Sequence, residues 1–356
     1  MSETVFIAGG AGFVGSNLAC CLKEKYPSCN VIALDNLKRR GSELNLPRLR
    51  ERGVRFVHGD VRNAEDLLFD EPLHFIIDAA AEPSVMAGIG GAPDYLIHSN
   101  LNGTVGLLNL ALRHRAKFLF LSTSRIYPVR MLETLAYHEE DTRFALDAEQ
   151  PHAGASVRGI AEDFPLGGAR SLYGATKLAS EIILREYEEF YGLKAVVNRC
   201  GVIAGPRQMG KIDQGVVVLW MAAHFWRREL AYIGYNGSGK QVRDALHILD
   251  LFDIIDYEMN NFDALCGKTF NIGGGAERSF SLRELTDACA GITGNSIKVR
   301  PCHEPRPGDI PIYITDNSRI TAATGWRPTR STGLLLADVF EWIRANESSL
   351  KNILSQ

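Results

Sequence analysis

Three features that would settle the class of protein at once are missing from this chain of 356 residues. Its 39 basic side chains nearly balance 42 acidic ones, so no overall field favours nucleic acid or an anionic membrane surface. Its longest apolar run, at 215–226, contains a histidine and is too short to span a bilayer. The amino terminus enters an apolar strand pattern at once, which leaves no room for a secretory signal. We therefore expect a cytoplasmic protein with neither a membrane nor a nucleic-acid partner.

A disulfide framework and a metal-binding cysteine cluster are missing too. The seven cysteines are an odd count without metal-ligand spacing. They are Cys20, Cys21, Cys29, Cys200, Cys266, Cys289 and Cys302. The adjacent pair at 20 and 21 lies in an apolar helical stretch, which is typical of reduced cysteines that serve as small hydrophobic residues. The sequence thus predicts no bound metal.

What the chain has in quantity is apolar residues and glycine. Apolar residues make up 46% of it, which excludes a disordered chain, and the scattered 34 Gly and 14 Pro exclude a collagen-like repeat. At about 150 residues per domain, the length predicts two domains, or one large α/β core with additions. A chain of this length buries enough surface to be stable without covalent cross-links.

Short apolar runs alternate with helical patterns over the first 200 residues. The runs are nearly continuous rather than alternating, which indicates strands covered on both faces. The predicted strands are 4–8, 31–34, 54–58, 74–78, 118–122 and 194–198. The predicted helices between them include 16–25, 101–115 and 174–191. This order predicts an α/β fold with a Rossmann-type, doubly wound parallel sheet.

The pattern loosens after about residue 200, where loop-rich pieces separate the elements. The elements expected there are helices near 216–228 and 281–291 and returns to the sheet at 246–256 and 268–273. We predict a first domain of residues 1–200, to which the chain returns near 246–273. Residues 201–245 and 274–356 would form a smaller, discontinuous C-terminal substrate domain.

Glycine is concentrated where the first strand ends, in IAGGAGFVGS. Gly9, Gly12 and Gly15 recur at three-residue spacing and open a helix. The first permits a tight turn, the second lets a pyrophosphate approach the backbone, and the third lets the helix pack on the sheet. The helix N-terminus offers free N–H groups to the phosphates. The motif therefore predicts a dinucleotide-binding turn.

An acidic residue stands where the ribose of a dinucleotide is expected. Asp35 ends the second strand, about twenty residues after Gly15. An acid there accepts hydrogen bonds from the adenosine ribose hydroxyls and repels a 2′-phosphate. A neighbouring basic cluster favours NADP instead, because it could hold that phosphate. Its residues are Lys38, Arg39 and Arg40. The carboxylate favours NAD over NADP as the cofactor.

A tyrosine and a lysine lie one helical turn apart in YGATK at 173–177. Tyr173 and Lys177 would share one helix face, so the ammonium can steady a phenolate. A tyrosine with a pKa of about 10 needs a shift of ~3 units, or ~4 kcal/mol, to act as a base near pH 7. One ammonium at ~4 Å supplies energy of that order. Thr123 or Ser124, at the end of the fifth strand, would hydrogen-bond the reacting oxygen.

With these motifs the chain resembles the extended short-chain dehydrogenases/reductases that act on nucleotide sugars, over nearly all of its length. Other matching segments are HGDVRN, DAAAEPSV, NLNGT, QVRDALHILDL, FNIGGG, RPGDIPIYITD and GWRPT. The spacing of this family selects Thr123 as the oxygen donor beside the catalytic Tyr173 and Lys177. The cofactor-binding residues that the resemblance implies are Gly9, Gly12, Phe13, Val14, Gly15, Asp35, Asn36, Arg40, Asp60, Val61, Ala79, Ala80, Ala81, Asn100, Ser122, Tyr173, Lys177 and Arg199.

The resemblance also implies a nucleotide-sugar site. Arginines at the positions of Arg243 and Arg306 clamp the diphosphate in this family, and a guanidinium fork suits phosphate oxygens. The substrate-binding residues implied in this way are Pro83, Thr123, Ser124, Arg125, Cys200, Gln208, Gln214, Arg243, Arg306 and Asp309.

A homodimer is a further implication, with the helices at 101–115 and 174–191 forming a four-helix interface across a two-fold axis. The side chains expected to supply its apolar contacts are Leu101, Val105, Leu108, Leu178, Ile182 and Ile183. The core of a single protomer would use the same spacing, so both interpretations stay open here.

Local features narrow the choice within the family. The 4,6-dehydratases follow the catalytic threonine with an Asp-Glu pair that removes water, whereas this chain has Ser124 and Arg125. Val202 stands where UDP-galactose 4-epimerases carry an asparagine that touches the diphosphate. The segments that instead resemble the CDP-tyvelose (CDP-paratose) 2-epimerases are 34–46, 159–177 and 198–215.

Some positions depart from the 2-epimerases as well. Lys38 replaces a usual serine, Glu82 a usual glutamine and Pro128 a usual glycine, and Ser124-Arg125 stands in place of Asn-Lys. The resemblance places these positions around the cofactor ribose and the sugar. They therefore leave the identity of the sugar undecided, whereas the fold is unaffected.

The mechanism that the resemblance implies is transient oxidation of the sugar. Ionised Tyr173 takes a hydroxyl proton while the carbon gives its hydride to tightly bound NAD, and Thr123 and Tyr173 bind the ketone oxygen. The ketosugar then rotates in the site while Arg243 and Arg306 hold its nucleotide, and the hydride returns to the opposite face of the ring. We expect C2 of a CDP-deoxyhexose to be inverted. The alternatives are a UDP-hexose or UDP-uronate 4-epimerase, a 4,6-dehydratase, and a non-catalytic dinucleotide-binding protein.

Overall fold

The computed structural model describes residues 3–86, 92–210, 214–304 and 306–354. The predicted sugar-side segment 198–215 therefore includes residues 211–213, which lie outside the described residues. The strands, β1 to β17 in chain order, are Thr4–Ala8, Asn30–Asp35, Arg55–His58, Phe75–Asp78, Lys117–Thr123, Tyr137–Glu139, Phe144–Leu146, Ala155–Ser156, Gly159–Ile160, Ala195–Cys200, Val202–Ala204, Leu230–Ile233, Val242–His247, Thr269–Ile272, Ser279–Ser281, Val299–Cys302 and Ile312–Tyr313.

Helices connect many of the strands. The α-helices, α1 to α13, are Phe13–Lys25, Leu46–Glu51, Asp94–Ile97, Gly103–His114, Val129–Glu133, Leu172–Tyr191, Val216–Phe225, Ile248–Asn260, Phe262–Leu265, Leu282–Thr293, Ser318–Thr324, Thr332–Ala345 and Glu347–Leu354. A π-helical turn at His98–Asn102 joins α3 to α4. Short 3-10 turns are Ser42–Asn45, Ala64–Leu67, Ser124–Ile126, Tyr235–Gly237 and Ala276–Arg278.

A seven-stranded sheet has the order β14-β10-β5-β4-β1-β2-β3. β1 pairs in parallel with β2 on one side and β4 on the other, so the strand order reverses beside β1. β2–β3 and β4–β5 are parallel too. This is the doubly wound Rossmann-type arrangement, and ligands of such sheets bind at the carboxyl edge near the reversal. The predicted fold class is confirmed.

The strands at the centre of this sheet are buried on both faces. All five residues of β1 and all four of β4 are buried, as expected for strands with helices on either side. One apolar cluster joins Phe6, Ile32, Ile76 and Phe118 to residues of α4 and α6. Four of the cysteines, at 20, 29, 200 and 289, are buried and the other three are half-buried, and all seven are free thiols. The buried four are placed as small hydrophobic residues would be.

One predicted return to the sheet is confirmed and the other is wrong. The segment predicted at 268–273 is β14, an edge strand of the seven-stranded sheet. The segment predicted at 246–256 instead holds the end of β13, which belongs to a separate four-stranded sheet, and most of α8. The apolar residues Ile248, Leu251, Ile254 and Ile255 recur at the helical three- and four-residue spacing, which outweighs the β-branched content.

The chain divides into two compact units. Unit 1 comprises Met1–Thr123, Leu172–Arg199 and Phe252–Phe270, and unit 2 comprises the rest, Ser124–Ser171, Cys200–Leu251 and Asn271–Gln356. Residues 124–171 thus group with unit 2, whereas the sequence analysis placed them in the first domain. Within unit 2, β13 pairs with β11, β15 and β17, and α7 packs on α10 and α12. The assignment of NAD and nucleotide sugar to separate domains stays a prediction.

Among the residues that the structure describes, no helix is both long enough and apolar enough to cross a membrane. The cytoplasmic location stays a prediction.

Glu258 of α8 is a carboxyl group buried within unit 1. It is fully buried, and Asn198 donates a hydrogen bond from Nδ2 to Glu258 Oε2 at 2.7 Å. Burial raises the pKa of Glu258 from 4.5 to about 8. The folded protein therefore holds a proton that the unfolded chain releases, and this costs stability as the pH rises from 4.5 towards 8.

The variant Glu258→Gln removes that cost, so it is expected to be more stable than the wild type above pH 5. At about 1.4 kcal/mol per pH unit, the gain in unfolding free energy is about 3 kcal/mol at pH 7. Urea unfolding at pH 5, 6, 7 and 8 measures it, with the exposed Glu51→Gln as the matched control. A gain that does not grow with pH would contradict the assignment.

Candidate active site

The glycine turn after β1 is built as the motif predicts. Gly9 has φ +72°, and a Cβ atom on it would lie 2.7 Å from the carbonyl oxygen of Ala79. A Cβ atom on Gly15 would overlap the carbonyl oxygen of Gly9, so only glycine lets α1 approach the turn so closely. Phe13 and Val14 follow Gly12 in the first turn of α1, which has no acidic residue and no side-chain cap. Free N–H groups at this cradle suit a pyrophosphate.

Asp35 anchors the glycine turn to the end of β2. Its Oδ2 accepts a hydrogen bond from the Ala11 N–H at 3.1 Å and its Oδ1 accepts one from the Leu37 N–H at 2.8 Å. Burial raises the pKa of this carboxyl, and the backbone donors oppose the rise. Because a carboxylate has room for about four acceptor bonds, the ribose hydroxyls can still bind it. The residue lies where the motif requires.

The neighbouring loops carry the residues expected near the adenine. Asn36 donates from Nδ2 to Asp60 Oδ2 at 2.9 Å. Arg62 binds the same carboxylate with two nitrogens, at 2.9 and 2.6 Å, and this contact holds the pKa of Asp60 well below its usual range. Val61 lies between them in sequence and Arg40 is exposed. Arg62 is a member of this cluster that the sequence analysis missed, although it stands in the matching segment HGDVRN.

Asn100 connects the loop after β4 to α6. It lies in the π-helical turn and is fully buried. Its side-chain amide accepts from the Glu82 N–H at 2.8 Å and donates to the Glu82 carbonyl at 3.1 Å, and it also reaches Thr176 Oγ1 at 3.3 Å. Ala79, Ala80, Ala81 and Pro83 lie in the loop that this amide fixes. The predicted residues of this loop are thereby held next to α6, which carries the predicted catalytic pair.

Tyr173 and Lys177 lie on α6, and Thr123 is the last residue of β5. All three belong to unit 1. Lys177 is only 2% exposed, and its Nζ lies 4.5 Å from the centre of the Phe120 ring. A positive charge with so little water around it acts strongly on neighbouring groups. Lys177 is therefore a buried lysine and not a surface one, and Tyr173, one turn before it, is half-buried.

Two predicted cofactor ligands, Ser122 and Arg199, are instead seen bound to a side chain that the sequence analysis missed. Glu181 accepts a hydrogen bond from Ser122 Oγ on one oxygen, and Arg199 donates to the other from Nη2 at 2.8 Å and from Nε at 3.1 Å. All three residues are buried. Glu181 follows Lys177 by one helical turn, so the spacing that revealed the tyrosine and lysine also points to it. Their contact with the cofactor stays a prediction.

In unit 2, two arginines from other elements contact the loop that carries a third. Arg243 Nη2 donates to Asp309 Oδ1 at 2.9 Å and to the Ile310 carbonyl at 2.7 Å. Arg125 reaches the Gly308 carbonyl at 3.4 Å, and Arg306 lies in the same loop. The structure thus brings together four of the residues predicted to bind substrate. Guanidinium groups collected in this way suit a diphosphate.

The predicted glutamines lie elsewhere in unit 2. Gln208 donates from Nε2 to the Ile203 carbonyl at 2.9 Å. Its Oε1 and that of Gln214 are buried and have no hydrogen-bond partner among the described residues. Cys200 is buried, and Ser124 begins a 3-10 turn. Acceptor oxygens left without donors suit hydroxyl or amino groups of a ligand.

Among the described residues no group of three or more His, Cys, Asp or Glu side chains is placed to hold a metal ion.

This fold and this site define a dinucleotide-dependent enzyme of the short-chain dehydrogenase/reductase type. The chain belongs to the NAD dependent epimerase/dehydratase family, whose model matches residues 5–273. NAD is accordingly its cofactor, and the protein is an enzyme of the sugar-nucleotide epimerase type. The residues that would hold the cofactor are those of the glycine turn, the carboxylate of Asp35 and the loops after β3 and β4.

Relatives and solved structures match almost the whole chain. It is 30% identical over 359 residues to the CDP-paratose 2-epimerase of Salmonella typhi, covering 95% of this chain and 98% of that protein. A structure of the dTDP-glucose 4,6-dehydratase DesIV of Streptomyces venezuelae with NAD is similar, with 27% identity, a TM-score of 0.79 and coverage of 99% and 100%. The UDP-glucose 4-epimerase of Thermus thermophilus, in complex with NAD, has 27% identity, a TM-score of 0.74 and coverage of 96% and 99%.

Proposed function

We propose that the protein inverts C2 of a CDP-deoxyhexose of the paratose and tyvelose type. The observation that carries an oxidation and reduction of the sugar is the buried Lys177 one turn from Tyr173, in the same compact unit as Thr123. Bound NAD supplies the acceptor for the hydride and later its donor. The choice of C2 and of CDP is supported by the similarity to a CDP-paratose 2-epimerase.

The chain's own residues would move the proton and hold the oxygen. Tyr173 takes the proton of the sugar hydroxyl at its phenolic oxygen, and the Lys177 ammonium stabilises the phenolate. Thr123 donates a hydrogen bond to the same sugar oxygen as charge develops on it. The guanidinium groups of Arg243 and Arg306 are proposed to hold the diphosphate while the ketosugar rotates.

Three positions favour inversion at C2 over the rival reactions of the family. Ser124 and Arg125 provide no carboxylic acid after Thr123, so the elimination of water lacks its acid and base. Val202 offers no amide where a 4-epimerase carries one. A UDP-hexose or UDP-uronate 4-epimerase remains the second candidate, because the chain is also similar to UDP-glucose 4-epimerases.

A direct comparison of substrates tests this proposal. Purified protein is incubated separately with CDP-paratose and UDP-galactose, and products are resolved by ¹H NMR. Formation of CDP-tyvelose from the first alone supports inversion at C2. Conversion of UDP-galactose alone would establish the 4-epimerase instead, and loss of water from either substrate would establish a dehydratase.

We also propose a homodimer formed by α4 and α6. Ile182 on α6 is 58% exposed, and Leu101, Val105 and Leu178 are half-buried. Leu108 is fully buried in the core of unit 1 and Ile183 packs on that core. The expectation that Leu108 lies in the interface is therefore wrong, because the protomer's own core uses it.

The variant Ile182→Glu is expected to weaken the dimer at least about tenfold, because it places a charge in an apolar contact. Sedimentation equilibrium gives the dissociation constant. Leu68→Glu, at a position 68% exposed outside both helices, is the control and should leave it unchanged. A wild-type protein that sediments as a monomer, or equal effects of the two variants, would refute the proposed interface.

A further inference from the structure

Two cations meet one aromatic ring at the carboxyl edge of the large sheet. The Nζ of Lys38 lies 3.3 Å from the centre of the Tyr95 ring, and the Cζ of Arg62 lies 5.5 Å from it. Lys38 stands in the loop after β2, Arg62 in the loop after β3 and Tyr95 in α3. Three segments that are distant in sequence are thus joined by one cation–π cluster.

Each cation is close in sequence to a residue at the predicted adenosine site. Lys38 follows Asp35 by three residues, and Arg62 binds both oxygens of Asp60. Asn36 bridges the two loops through its bond to Asp60. The cluster therefore lies beside the loops that are expected to surround the adenine and its ribose.

We propose that Lys38, Tyr95 and Arg62 form a clasp that retains the adenosine end of NAD. Release of the cofactor would require the loop after β2 and helix α3 to separate, which breaks the contact between Lys38 and Tyr95. The inference rests on the proposed function in one respect, because an epimerase must keep its reduced cofactor until the hydride returns. The resemblance to the 2-epimerases implies a serine at this position, and a serine could not make the contact that Lys38 makes with the Tyr95 ring.

Two properties indicate that this cluster controls the release of NAD and contributes little to the stability of the fold. Lys38 is exposed and Tyr95 is half-buried, so the contact can open without disturbing the core. Arg62 is already fixed by Asp60, so the mobile half of the clasp is Lys38. Losing one such partly exposed cation–π contact corresponds to roughly a tenfold faster release.

The test measures release of NAD directly from protein that copurifies with it. Loaded protein is diluted into ethanol and excess alcohol dehydrogenase, which converts each released NAD into fluorescent NADH. The variants Lys38→Met and Tyr95→Leu are expected to release NAD about tenfold faster than the wild type. Tyr95→Phe keeps the ring and is the matched control, expected to release NAD at the wild-type rate.

Lys38→Met keeps the experiment decisive if Tyr95→Leu folds poorly, because position 38 is exposed. Wild-type release rates in Lys38→Met would overturn the clasp, and so would equal acceleration by Tyr95→Phe and Tyr95→Leu. The measurement uses no sugar nucleotide, so a failure of the clasp is distinguishable from a failure of the epimerase proposal. Unchanged thermal melting of the variants confirms that faster release is not partial unfolding.

Discussion

Replacing Tyr173 with phenylalanine is expected to lower kcat by at least about 10³-fold while NAD stays bound. The change removes only the phenolic oxygen, so α6 and the buried Lys177 keep their places. General acid–base catalysis contributes about 10²- to 10⁴-fold, and this oxygen would serve in both the removal and the return of the proton. The rate is measured by NMR as conversion of CDP-paratose, and bound NAD by its release on denaturation.

Tyr191→Phe is the matched control for that change. Tyr191 ends the same helix and is 66% exposed, so its hydroxyl should make no difference to kcat. A Tyr173→Phe protein that kept a tenth or more of the wild-type activity would show that another group takes the proton. Loss of bound NAD in this variant would instead place the hydroxyl among the cofactor's essential contacts.

The second large effect is expected at Glu181. In Glu181→Gln, the Arg199 guanidinium loses the charge that balances it in a buried place. Breaking a buried ion pair by removing one partner costs about 3 to 5 kcal/mol, because the other charge stays buried alone. We therefore expect the unfolding free energy to fall by about 3 kcal/mol, as measured by urea unfolding at pH 7.

Two further variants identify the cause of that loss. Glu189→Gln, at an exposed site on the same helix, should change stability by less than about 0.5 kcal/mol. The double variant Glu181→Leu with Arg199→Met removes both charges and should recover most of the stability. A double variant less stable than Glu181→Gln would contradict the ion-pair explanation.

The central sheet could be predicted from sequence because its strands are continuous apolar runs. β1 has the bounds 4–8 that the sequence predicted, since Gly9 ends it sharply. α1 begins three residues before the predicted start at 16, because Gly12 and not a polar cap opens it. The wrong strand at 246–256 shows the limit of apolar content alone, since the spacing of the same residues fits a helix.

The candidate site likewise contains residues that the sequence predicts and contacts that it does not. Tyr173, Lys177 and the glycine turn were found because their spacing along the chain is itself the signal. The bond from Ser122 to Glu181 joins residues 59 positions apart, and Lys38 meets Tyr95 across a similarly long stretch of chain. Such contacts depend on how helices and loops fold back onto the sheet, which no local pattern encodes.

The path of the chain through its two units has a consequence for how such an enzyme can evolve. The chain leaves unit 1 directly after Thr123 and re-enters it at Leu172, the residue before Tyr173. Thr123 and Tyr173, the proposed oxygen donor and base, therefore flank one continuous stretch of unit 2, residues 124–171. Insertions, deletions and recombination within 124–171 can remodel that excursion, while unit 1 and the residues proposed to transfer the proton are inherited unchanged. If the proposed roles hold, changes in this excursion can alter the surroundings of the sugar and leave the proposed catalytic residues in place.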